Sequence, residues 1–192
     1  MALNLCLVIL FAPNNLFAAE GETEGDNKPV SEIKLLGINL LEANLTSIRQ
    51  HLNNLGGFLQ AKSTIKQTNT DKFFPWSNNR DSYYFQFRYN HAGKVTSVKR
   101  LYRPYSILQS NRRSAIQTKD IALELTKRLG QPTSIIRKGW GGTQNYTSYT
   151  WQDDKMTIKV DREGSELLGN VFVEYTVTVH DPYEVIDDTG DV

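Results

Sequence analysis

The residues that could carry chemistry are few and scattered. His51, His91 and His180 fall at no spacing that would let two of them share a metal ion. Asp153-Asp154 is a carboxylate pair, but it lies between two strand-like runs, where Asp serves the backbone of a turn. No Gly-x-Ser-x-Gly, phosphate-binding loop or His-Glu-x-x-His stretch occurs. The expectation is a protein that is not an enzyme and that uses no cofactor and no metal. What remains suits binding. Arg88, Lys99, Arg100, Arg103, Arg112 and Arg113 interleave with Tyr84, Tyr102 and Tyr105, a mixture fitted to anionic partners. Trp76 and Trp140 are two large anchors, the second inside Gly139-Trp140-Gly141-Gly142, whose backbone could approach a ligand closely. The expected binding set is Arg88, Lys99, Arg100, Tyr102, Arg103, Arg112, Arg113, Trp76 and Trp140.

Net charge of +1 conceals a segregation. Residues 20–30 carry −3 and residues 181–192 carry −5, so the 21 basic and 12 acidic residues between them give +9. A basic body between acidic ends can be screened by its own tails. The N-terminus, MALNLCLVILFAPNNLFAAEG, reads as a secretion signal: an apolar run over Leu5–Ala12, then Ala18-Ala19 as a cleavage site. The run is too short to span a bilayer as a helix. Cys6 is the only cysteine and lies inside this segment, so a processed chain would contain no thiol and hence no disulfide. Residues 1–19 are thus assigned to a signal peptide, 20–31 to an acidic leader, 32–180 to the folded domain and 181–192 to an acidic tail.

The elements that must position these side chains can be read from periodicity. Leu41, Leu45, Ile48, Leu52 and Leu55 lie on one helical face, with Asn44 or Thr46 as cap and Gly56-Gly57 as stop. Thr118 would cap a second helix over Lys119–Leu129, closed by Gly130. Glu32–Ile38, Phe58–Gln67 and Thr133–Lys138 read as strands, and Thr68–Arg80 as a polar loop. Tyr83, Phe85, Phe87 and Tyr89 alternate with polar residues, and His91-Ala92-Gly93-Lys94 turns the chain into Val95–Tyr102. A second hairpin spans Tyr146–Gln152 and Lys155–Arg162, and a last strand Val171–Val179.

The halves repeat: helix, Leu-Gly, strand, loop, hairpin. Leu52–Gly57 matches Thr126–Gln131 at a period of about 74 residues, and the units divide near 32–104 and 105–180. The expected fold is α+β: two αβββ repeats forming one antiparallel sheet of about six or seven strands, with two helices on one face. This plan resembles the β-lactamase-inhibitor-protein-like fold. Phe85–Val98, an aromatic strand, a Gly-Lys turn and Val-x-x-Val, is also similar to a hairpin of the small lipoproteins of the outer-membrane assembly machinery. The resemblance implies a fold and a style of binding through a sheet face.

The functional expectation is a periplasmic or secreted, non-enzymatic binding module. Its basic, aromatic-rich sheet face and loops would hold a protein of the cell envelope or an anionic envelope component, a lipid headgroup or cell-wall polymer. Nucleic acid is not expected as a partner, and no transmembrane segment is expected. The alternative is an inhibitor or accessory factor that blocks an envelope enzyme by inserting an aromatic loop; an enzyme with an unrecognised site is the third reading.

Overall fold

The computed structural model describes residues 28–103, 116–139, 145–163 and 170–184. A single 3-10 turn, Val30–Glu32, leads into a two-residue hairpin of β1 (Lys34–Leu35) and β2 (Ile38–Asn39). This replaces the longer strand expected over Glu32–Ile38. Its turn, Leu36-Gly37, has both φ values positive, as a tight two-residue hairpin requires.

Helix α1 (Leu45–Leu55) starts where Asn44 and Ser47 cap each other's backbone N–H groups. It ends at Gly56, and β3 (Phe58–Gln60) follows. The segment expected as a polar loop contains β4 (Thr70–Pro75). Then come β5 (Ser82–Tyr89) and β6 (Val95–Tyr102). Helix α2 (Thr118–Leu129) begins with the Gln117 N–H donating to the Asp120 carboxylate, one residue before the expected cap. It is followed by β7 (Ser134–Lys138), β8 (Tyr146–Gln152), β9 (Met156–Glu163) and β10 (Asn170–Val177).

These last eight strands form one antiparallel sheet in the order β3-β4-β5-β6-β10-β9-β8-β7. Each helix is followed by a four-stranded meander, and the meanders join through β6 and β10. The expected α+β plan with a shared sheet is therefore present, with eight strands instead of six or seven; the first unit gains β4, which was read as a loop, and so has four strands like the second.

Directly opposed residues in an antiparallel pair project to the same face. Register places Phe73, Phe85, Phe87, Val98, Tyr175, Ile158 and Trp151 together on one face, all buried. They form a single core with Ile48 and Leu52 of α1 and Ile121, Ala122, Leu125 and Leu129 of α2. Each large side chain removed from water in this way contributes about 1.5–3 kcal/mol. Both helices thus cover the same face. The helix ends differ: Leu129 is 6% exposed and Leu55 47%, so the two leucines matched by the repeat are not equivalent in burial. Val179, the end of the strand expected over Val171–Val179, lies beyond β10 and is likewise exposed.

An ion pair between the half-buried Arg49 and the buried Asp71 carboxylate fastens α1 to the sheet. Asp71 of β4 faces the core and accepts from Arg49, from Gln60 Nε2 at 2.6 Å and from the Tyr89 hydroxyl at 3.1 Å. Asp153 closes the β8–β9 turn, accepting from the N–H groups of Lys155 and Met156 and, at 2.7 Å, from that of Ser31. Burial opposes its ionisation, but these hydrogen bonds outweigh it and hold the carboxyl below the usual range. This carboxylate therefore serves the fold.

Candidate binding faces

The face away from the helices carries three cross-strand rows, and no described helix packs on it. One row is hydroxyl-rich: Thr70, Arg88, Ser97, Thr176, Thr157 and Gln152 stand opposite one another in turn. The next is charged: Lys72, Gln86, Lys99, Glu174, Lys159 and Thr150. The third begins apolar, with Leu59 opposite Phe74 and Tyr84 beside Leu101 and Phe172, and ends at Asp161.

Most cations of this face are already paired. Lys99 binds Glu163 and lies 4.1 Å from the Phe172 ring. Lys138 and Lys159 both reach Asp161, at 2.7 and 2.8 Å. Burial alone would raise the Asp161 carboxyl; hydrogen bonds from the two ammonium groups and from the Arg162 N–H overcome it and lower the group to about 2. Lys72 sits over aromatic rings instead, 3.9 Å from the Tyr84 centroid and 5.5 Å from that of Phe74. Arg88 is exposed and makes no side-chain hydrogen bond or ion pair among the described residues. It borders a polar groove of about 620 Å³ with Thr70, Gln86, Ser97, Thr176 and His180. The chain then turns over this end of the sheet: Glu184 binds Lys94 at 2.8 Å and accepts from Asn90, so the first residues of the expected acidic tail are tied down.

One corner of the face is aromatic and exposed. Trp76 follows β4 in the alternation that turns Phe74 outward, and it is 69% exposed. Its N–H donates to the Gly57 carbonyl at 3.0 Å. Gly57 has φ +75, a left-handed conformation that glycine adopts without strain. Leu59 and Tyr83 are exposed beside it. Phe74 meets Tyr83 edge-on at 5.9 Å, and Tyr83 meets Tyr84 at 5.8 Å. A register shift between Ser82 and Tyr84 turns Tyr83 to this corner.

The expected binding set is only partly brought together. Arg88, Lys99 and Trp76 lie on the open face. Arg100 does not: it is paired with Val173 and Phe85 on the helix-covered face. There its Nε donates to Ser82 Oγ at 2.8 Å, its NH2 meets Asp81 at 2.8 Å, and its guanidinium lies 4.4 Å from the Tyr102 ring. Tyr102 is buried on that same face, opposite Ser82, and burial pushes its hydroxyl pKa up. Arg103 spans the strand ends, donating to the carbonyls of Ser82 (2.8 Å) and Pro75 (3.3 Å), with Tyr83 5.8 Å away. Arg100 and Tyr102 therefore lie on the helix-covered face and not on the open one, and Arg103 sits at the edge of the aromatic corner with donors engaged by two carbonyls. Arg112, Arg113 and Trp140 lie outside the described residues.

Sequence reasoning missed Leu59, Lys72 and Tyr83 as site residues. The signal was present in Thr70-Asp71-Lys72-Phe73-Phe74-Pro75-Trp76, where every second residue turns outward. The charged Asp71-Lys72 disguised it as a loop.

The class defined by these observations is an α+β domain with two helices on one face of an eight-stranded antiparallel sheet and a polar, aromatic-cornered opposite face. No family model, curated protein or solved structure matches the chain.

Proposed function

We propose that this chain is a non-enzymatic binding module of the cell envelope, and that its partner is a protein with an acidic surface seated on the aromatic corner of the open face. The observation that carries this reading is the cluster of Leu59, Phe74, Trp76, Tyr83 and Tyr84 edged by Lys72 and Arg103. Large aromatic side chains held by rigid strands form anchors at low entropic cost, and Trp, Tyr and Arg dominate the energetics of protein interfaces. The cations beside the rings favour an acidic partner and orient it. Export rests on Met1–Ala19, the segment read as a signal.

The test is a pull-down from envelope extract at low and high salt, comparing the natural chain with a Trp76→Ala, Tyr83→Ala double variant. One protein retained by the natural chain and lost by the variant, at both salt concentrations, supports an aromatic anchor. Equal capture by both chains removes this reading. Intact mass of the envelope form checks export: loss of roughly the first 18 or 19 residues is expected, and retention of Met1 and Cys6 rejects it.

A further inference from the structure

A second site lies on the opposite side of the sheet, where the ends of both helices meet the β6–β10 pair. It is a recess of about 480 Å³, within the range of small-ligand pockets. Three cations line it: Lys34 from β1, Arg128 from the last turn of α2 and Arg100 from β6. Lys34 and Arg128 are exposed and make no hydrogen bond or ion pair among the described residues. Arg100 is held by Ser82 and Asp81, which fixes its guanidinium in place and leaves its other N–H donors for a ligand. With the Asp81 carboxylate counted, the local charge is +2.

Tyr175 supplies the second observation. It is 4% exposed, yet it lines this recess, and its hydroxyl makes no hydrogen bond to any described residue. Register places it beside Arg100: Val98 opposes Tyr175 and Arg100 opposes Val173. Burial raises its pKa, while the charges of Arg100 and Arg128 act to lower it, so both cations bear on this one hydroxyl. Arg128 alone would be accounted for by the carbonyl ends of α2, which favour a cation. That explanation does not account for Lys34, Arg100 and Tyr175 lining the same recess.

We propose that this recess binds a phosphoryl group carried on a short apolar body. Three cationic side chains and a phenol line the recess, and the double charge of a phosphate offsets the local +2 where a carboxylate would offset only half of it. The apolar body follows from Leu35, Leu36 and the half-exposed Leu55, which complete the wall. The site stands apart from the aromatic corner and does not depend on it.

The test is isothermal titration of the full chain with hexyl phosphate, inorganic phosphate and hexyltrimethylammonium. Saturable binding of hexyl phosphate and none of the ammonium compound is expected. Lys34→Gln combined with Arg128→Gln should weaken it by about tenfold or more, since charge-assisted hydrogen bonds are lost. Tyr175→Phe, which keeps the ring, should weaken it severalfold, with thermal melting run beside it to show that the fold is kept. Trp76→Ala should leave it unchanged. Preference for hexyl phosphate over inorganic phosphate upholds the proposal; equal affinity for the two overturns the apolar body. Absence of saturable binding by either anion, or unchanged affinity in the Lys34→Gln, Arg128→Gln variant, overturns the site.

Discussion

Arg49 grips Asp71 with both arms of its guanidinium, Nε to Oδ2 at 2.9 Å and NH2 to Oδ1 at 2.8 Å, across 22 positions of the chain. The carboxylate has no exposed surface, and Gln60 and Tyr89 complete its coordination. Removing it strands four donor groups from three side chains around one void. Asp71→Ala should therefore destabilise the protein by about 3–5 kcal/mol, the range for breaking one side of a buried pair. Urea denaturation measures it. A change below about 1 kcal/mol would show that α1 is not fastened here.

Asp161 should govern part of the response to acid. Its carboxyl is lowered to about 2 in the folded chain, against about 3.9 for an unperturbed Asp. A lowered folded pKa gives stability that is complete above about pH 4 and disappears as pH falls towards 2. Asp161→Asn should cost roughly 2 kcal/mol at neutral pH and flatten the loss of stability between pH 4 and 2. Denaturation midpoints across that interval, with an equally steep loss in the variant, would contradict this.

The two helix-end leucines should behave differently. Leu129→Ala is expected to cost about 2–5 kcal/mol through lost burial and a cavity. Leu55→Ala, at a half-exposed position, should cost under about 1 kcal/mol. Equal losses in chemical denaturation would restore the equivalence that the repeat suggests.

The arginines also divide by role. Arg103→Ala removes donors to two carbonyls and should lower stability by about 1–3 kcal/mol. Arg88→Ser should change it by less than about 0.5 kcal/mol, because the exposed side chain makes no hydrogen bond or ion pair with a described residue. Thermal melting of the two variants separates them, and a large loss at Arg88 would mean that the residue serves the fold.

The hairpins were legible because period-2 alternation is a local signal: Phe85, Phe87 and Tyr89 announce their face without help from the rest of the chain. Strand β4 was not, because a buried Asp71 makes sense only once Arg49, Gln60 and Tyr89 surround it. The face of Arg100 could have been read from parity, since Val98, Arg100 and Tyr102 are two apart and Val98 is apolar. Charge suggested solvent and overrode the spacing. The recess lined by Lys34, Arg128 and Tyr175 draws on six separate segments, and no local pattern marks such a meeting.

The β6–β10 pairing has a consequence for how the chain assembles. Strands β6 and β10 are eight residues each, and each is the last strand of its own meander. A unit standing alone would present that strand as a long bare edge, a template for pairing with a second unit. The antiparallel match is the one a two-fold-symmetric homodimer would use. Carrying both halves on one polypeptide makes the encounter intramolecular, so closure of the seam depends on a tether's effective concentration and not on how much protein is present. Dilution should leave this sheet intact where it would separate two independent chains.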